Sequence, residues 1–106
     1  MEIKQNINLV ELLFFDDCPS WKIALKNIKE ALSQLEISIN VSLIHINSYS
    51  DAQKHAFPGS PTIRVNGKDI FPVNHTNYAL GCRMYQTKEG YKGYPTAAMI
   101  IKNIGE

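Results

Sequence analysis

The stretch Leu9-Val10-Glu11-Leu12-Leu13-Phe14-Phe15-Asp16-Asp17-Cys18-Pro19-Ser20-Trp21 changes its hydrophobic period partway along, and that change decides the fold. From Leu9 to Phe15 the run is almost continuously apolar, which suits a central strand buried on both faces; a surface strand would alternate with polar residues. This is β1 (residues 9–15), and Asp16-Asp17 ends it. Beyond Pro19, Trp21, Ala24, Leu25, Ile28, Ala31, Leu32 and Leu35 recur at three- and four-residue steps, while Lys22, Lys26, Lys29 and Ser33 take the other side. That spacing predicts an amphipathic helix, α1 (residues 19–35). Proline fits the first helical position, where its missing N–H is no loss, so Cys18 is expected at the N-cap and facing solvent.

Working outward, Ile37, Ile39, Val41 and Leu43 alternate with Ser38, Asn40 and Ser42, and Ile44 and Ile46 extend the run. A strand β2 over residues 37–46 with a buried Val/Ile surface is predicted. Strand, helix and strand make a βαβ unit, with parallel strands and a right-handed crossover. Residues 50–56 form a short helix, α2, capped by Ser48 or Ser50 and stopped by Phe57-Pro58-Gly59. Strands β3 (residues 62–65) and β4 (residues 68–71) flank Asn66-Gly67, a hairpin signal because both central residues of a type I′ turn need positive φ. Residues 73–94 show no clear period and contain Gly81, Gly90 and Gly93. They read as a long loop carrying Cys82, with Tyr78, Tyr85, Tyr91 and Tyr94 packing over the sheet. Pro95-Thr96 opens α3, with Ala97, Ala98, Ile101 and Ile104 as its buried stripe.

The expectation is one α/β domain over residues 1–106, with its core from about residue 9 and the element order β1-α1-β2-α2-β3-β4-α3. Apolar residues make up 44% and charged residues 20% of the 106-residue chain, ordinary globular usage. The formal net charge is +1, and Lys and Arg are scattered, so nothing marks a nucleic-acid or membrane surface. Residues 1–8 carry no leader-like apolar stretch, and no run approaches the roughly 20 apolar residues of a membrane span, so a cytoplasmic location is expected. Cys18 and Cys82 are too few for a disulfide scaffold and too far apart in sequence for a metal knuckle, which leaves reactive thiols. His45, His55 and His75 fit no metal spacing, and no cofactor motif is present.

Two motifs carry a family resemblance. Phe15-Asp16-Asp17-Cys18-Pro19-Ser20-Trp21 follows β1, and Ser60-Pro61-Thr62-Ile63-Arg64-Val65-Asn66-Gly67 supplies a proline and a hairpin. With the element order, they resemble the thioredoxin and glutaredoxin superfamily over nearly the whole chain from Leu9. The resemblance implies a four-stranded mixed sheet of order 2-1-3-4 flanked by helices, a cis Ser60–Pro61 bond beside Cys18, and a thiol–disulfide oxidoreductase activity acting on protein or glutathione disulfides. Cys18 would attack and Pro61 would shape the substrate groove, with Ser60, Thr62, Pro19 and Trp21 around it. The chain departs from the family at Trp21, which stands where thioredoxins have the second cysteine of Cys-x-x-Cys. Any internal cycle must therefore use Cys82, because the loop after β4 emerges at the Cys18 end. Gly81-Cys82 is faintly similar to the glycine turn with which glutaredoxins hold glutathione. Cys18, Cys82 and Asp16 or Asp17 are also similar, in residue types, to small thioredoxin-like proteins associated with alkylmercury lyases.

A helix N-terminus favours a thiolate by roughly 0.3–1 kcal/mol, under about one pKa unit from a free value near 8.5. Lys22 would add to this and Asp16 and Asp17 oppose it, which predicts a modestly activated Cys18. Two thiolates would also suit a soft ion such as Hg(II) or Cu(I), whereas zinc wants two more ligands. Plainer readings stand beside these. Cys18 is a small core residue, Cys82 is incidental, Trp21 is core, Pro61 is structural alone, and the chain is a non-catalytic interaction domain using residues 73–94; Arg83 beside Cys82 either stabilises a thiolate or holds a carboxylate.

Overall fold

Strand β1 spans Val10–Phe14, and its side chains feed two separate cores, which is why its sequence does not alternate. Val10 and Leu12 pack with Ala24, Ile28, Ala31 and Leu32 of α1, Ile63 and Val65 of β3, and Ile100 and Ile104 of α3. Leu13 points the other way, to Ile46, Ala52 of α2 and Phe57. The computed structural model, which describes residues 7–73 and 80–104, is thus a sheet with α1 and α3 on one face and α2 on the other. Each fully buried Leu, Ile or Phe contributes about 1.5–3 kcal/mol relative to exposure. No helix among the described residues is long and apolar enough to cross a membrane.

The sheet is four-stranded and mixed, in the order β2-β1-β3-β4. β1 pairs parallel to β2, with Val10 opposite Val41 and Phe14 opposite His45. It pairs antiparallel to β3, with Leu12 opposite Ile63. β3 turns into β4 through Asn66 and Gly67, at φ 53° and 84°, the two left-handed residues a type I′ turn requires. β4 is only Lys68–Asp69, shorter than expected, because Asp69 Oδ1 accepts from the Phe71 N–H at 2.8 Å and bends the chain out of the ladder.

β2 is also shorter than its pattern, Val41–His45, and it lies at the sheet edge with Leu43 48% exposed. The expected buried surface is there in part: Val41 packs on the main core, Ile44 on the second core and Ile46, just beyond the strand, is fully buried, while Leu43 faces outward. Ile37 and Ile39 are spent otherwise. α1 (Ser20–Gln34) ends in a Schellman motif with Glu36 at φ 59°, where the Ile37 N–H donates to the Leu32 carbonyl at 2.9 Å. Ile37 and Ile39 then pack on the main core as helix-closing residues rather than strand residues. α2 (Tyr49–Lys54) is built alike: Ser48 Oγ accepts from the Asp51 N–H at its start, and Ala56 at φ 50° ends it with Phe57 buried. Neither helix end uses glycine, so both escape a reading that looks for one.

α3 covers Ala97–Ile104, with Thr96 Oγ1 accepting from the Met99 N–H at 3.2 Å. Its buried residues are Ile100 and Ile104, while Ala98 is exposed; the stripe is rotated from the expected one because the larger Ile100 takes the core-facing position. The region read as a long loop contains a second hairpin, β5 (Tyr85–Thr87) and β6 (Gly90–Lys92), with Gly90 at φ 102°. Strands this short leave no measurable period. His75 and Tyr78 lie outside the described residues.

Candidate functional site

At the C-terminal end of β1 the chain turns, with the Cys18 N–H donating to the Phe15 carbonyl at 3.0 Å, and Pro19 enters the helix. Pro19, not Cys18, is the N-cap. It stands one residue later than expected because the regular α-helical bonding starts at Ser20, although Pro19 already has helical φ −66° and ψ −10° and the Cys18 carbonyl accepts an i+3 bond from the Trp21 N–H at 3.5 Å. Cys18 and Cys82 are joined as a disulfide across a sequence separation of 64, with Cα atoms 5.8 Å apart, inside the ordinary range for such bonds. Cys18 is only 2% exposed, and this overturns the expectation of a solvent-facing thiol. It is covered because a later segment lays Cys82 against it, and Cys82 is the exposed member of the pair.

The position of Cys82 is set by backbone pairing. Residues Ser60 and Cys82 form an isolated parallel bridge, in which the Ser60 N–H donates to Gly81 and the Arg83 N–H donates to Ser60, each at 2.8 Å. The Ser60 carbonyl also lies 3.6 Å from Cys18 Sγ. The Ser60–Pro61 peptide is cis, and Pro61 is fully buried. Gly59, at φ 138°, lets the two segments approach: a Cβ there would sit 3.0 Å from that of Arg83.

Arg83 then locks the segment down. Its side chain is 7% exposed, and its guanidinium pairs with Asp69 at 2.9 Å, donates to Thr62 Oγ1 at 3.2 Å and to the Phe71 carbonyl, and lies over the Tyr85 ring. Arg83 holds a carboxylate, therefore, and its charge is directed at Asp69. The Tyr85 hydroxyl donates to the Pro61 carbonyl at 2.5 Å. Burial pushes that hydroxyl above its ordinary value of 10.0; Arg83 opposes the shift and Asp69 adds to it. Among the described residues no buried side-chain polar atom lacks a partner.

The other expected site residues divide by exposure. Ser60 and Thr62 are fully buried and turned inward: Ser60 Oγ accepts from the Phe15 N–H at 2.9 Å, and Thr62 Oγ1 donates to the Gly59 carbonyl at 2.6 Å. Their polar groups hold the site together. Pro19 is exposed, and Trp21 is half-buried, stacked on Phe14 with ring centroids 4.1 Å apart. Phe14 stacks in turn on His45, whose Nε2 lies 3.0 Å from Asp16 Oδ2 at the surface. No group of three or more His, Cys, Asp or Glu able to hold a metal ion occurs among the described residues.

Sequence reasoning missed the roles of Asp69 and Tyr85: Asp69 meets Arg83 only after β3 and β4 have folded back, and Tyr85, two residues from Arg83, carries no motif that marks its bond to Pro61. Chemically, the site is a disulfide between one buried and one exposed cysteine on a hydrogen-bonded backing. No family model, curated protein or solved structure matches the chain.

Proposed function

We propose that this chain is a thioredoxin-like thiol–disulfide oxidoreductase whose redox couple is Cys18 and Cys82. One observation carries the reading: Cys82 is positioned by contacts that do not depend on the bond it makes. The two hydrogen bonds to Ser60 and the Arg83 anchorage survive reduction, so the thiols stay side by side, ready to close again. A pair held in this way has a high effective concentration for ring closure. The sheet order 2-1-3-4, the helix that follows Cys18 and the cis Ser60–Pro61 bond support the thioredoxin-like assignment. Protein thiols and disulfides or glutathione mixed disulfides are the partners this chemistry serves, in a cytoplasmic, thiol-rich setting.

The test is reduction of a protein disulfide by dithiothreitol with and without the chain. Wild type accelerates the reaction and both Cys18→Ser and Cys82→Ser abolish the acceleration; an inert wild type refutes the proposal. A second reading rests on the same adjacency, because the reduced pair offers two sulfurs to a linear soft ion such as Cu(I) or Hg(II). Equilibrium dialysis of the reduced protein separates the two: ion binding that survives Cys82→Ser unchanged excludes the paired site.

A further inference from the structure

Cys82 borders an open groove of about 530 Å³ whose walls include Phe71, Pro72, Val73, Met84 and Met99. Val73 and Met84 are exposed, at 38% and 58%. Among the described residues, the one charged residue lining it is Arg83, and that guanidinium is committed to Asp69, Thr62 and Phe71. Beside the exposed Cys82 the groove therefore presents an apolar wall of Phe71, Val73, Met84 and Met99 with the polar Gln86 also lining it, and among the described residues no uncommitted charge to receive a carboxylate.

From this we infer that external thiols enter at Cys82, not Cys18, and that the substrate is a protein cysteine set in an uncharged, apolar segment rather than glutathione. The inference rests on the redox reading above and assigns its polarity and substrate class. Attack on a disulfide needs access to the sulfur attacked. Cys18 is 2% exposed, so the incoming thiolate meets Cys82. The new bond joins the substrate sulfur to Cys82 Sγ, the Cys18–Cys82 bond breaks, and Cys18 leaves with the electron pair as a thiolate that takes a proton from water. A second substrate thiolate then attacks the substrate sulfur of the mixed disulfide and releases Cys82 as a thiolate. Two substrate thiols are oxidised to one disulfide, and the protein disulfide is the oxidant. Glutathione brings two carboxylates to a groove with no cation free to pair with them, whereas an apolar segment covers Phe71, Met84 and Met99.

The experiment offers the oxidised protein three thiols separately: neutral 2-mercaptoethanol, glutathione, and a peptide with blocked ends whose single cysteine is flanked by Leu and Val. Reactions are acid-quenched, alkylated and mapped by mass spectrometry, with rates corrected for each thiol's ionised fraction. The expected adduct is on Cys82 with Cys18 alkylated, and the peptide reacts at least about tenfold faster than glutathione, the lower end for one seated apolar group. Met84→Gln, at an exposed position on the groove wall, removes the peptide's advantage over glutathione. In the reduced protein, iodoacetamide modifies Cys82 before Cys18. Adducts on Cys18, or earlier alkylation there, overturn the assigned polarity. Glutathione matching the peptide overturns the substrate class. A disulfide that none of the three thiols opens refutes the redox reading itself.

Discussion

Reducing the Cys18–Cys82 bond is expected to lower the stability of the fold by about 4 kcal/mol. The bond closes a loop with a sequence separation of 64, and the chain-entropy relation for a loop of that length gives about 4.3 kcal/mol at 25 °C. The full value is expected because the folded state changes little on reduction. Ser60 and Arg83 hold the 81–83 segment through contacts other than the disulfide, so the effect is expected to fall on the unfolded chain. By thermodynamic linkage the same energy makes the couple harder to reduce in the folded chain than in the unfolded one, by about 90 mV for two electrons. The assay is urea unfolding of the oxidised protein and of the protein held reduced by excess dithiothreitol. At a urea slope of about 2 kcal/mol/M the reduced midpoint falls by about 2 M. Coincident midpoints, or a reduced form that is the more stable, would refute the reasoning, since either means that the folded state gives back what the loop constraint provides.

Arg83→Met should cost about 2–4 kcal/mol in the same unfolding assay, because it leaves the largely buried Asp69 carboxylate with only the Phe71 N–H and takes the guanidinium from the Phe71 carbonyl; a loss under about 1 kcal/mol would show that the cluster is not a buried network. Gly59→Ala forces a Cβ to 3.0 Å from that of Arg83 at φ 138°, so a destabilisation of at least about 1 kcal/mol is expected, and an unchanged midpoint would refute the close packing. Tyr85→Phe removes the hydrogen bond to Pro61 and should cost about 0.5–1.5 kcal/mol at neutral pH. The raised Tyr85 pKa means that the folded state holds its proton longer, so this contribution is complete below pH 10.0 and is lost as pH rises beyond it. Wild-type stability should therefore fall above pH 10 more steeply than that of Tyr85→Phe, and parallel curves would exclude the shift.

The βαβ half of the fold was legible because its signals are dense: a doubly buried strand, then a helix whose stripe holds for four turns. The Asn66-Gly67 hairpin was equally plain, since its turn demands particular residues. Ile37 and Ile39 misled for a physical reason, as a Schellman closure and a strand both use apolar residues at alternate positions. The β5–β6 hairpin escaped because three-residue strands are fixed by partners rather than by pattern. At the site, the residue types were readable but their exposures were not. Which of Cys18 and Cys82 faces water depends on the bridge between Ser60 and Cys82, a contact between distant segments that leaves no local trace. Arg83 likewise turned on Asp69, a carboxylate brought to it by the β3–β4 hairpin.

The most direct test of the Cys18–Cys82 redox couple is its reduction potential, measured by equilibrating the folded protein in graded dithiothreitol buffers and reading the alkylated fraction by mass. A two-electron transition at a potential above about −300 mV, reached from both the oxidised and the reduced side, is the predicted result: the fold lowers the potential relative to the unfolded chain, but a disulfide with an exposed cysteine stays on the more oxidising side of that value. A bond that stays closed well below that potential would mark a purely structural crosslink and contradict the account.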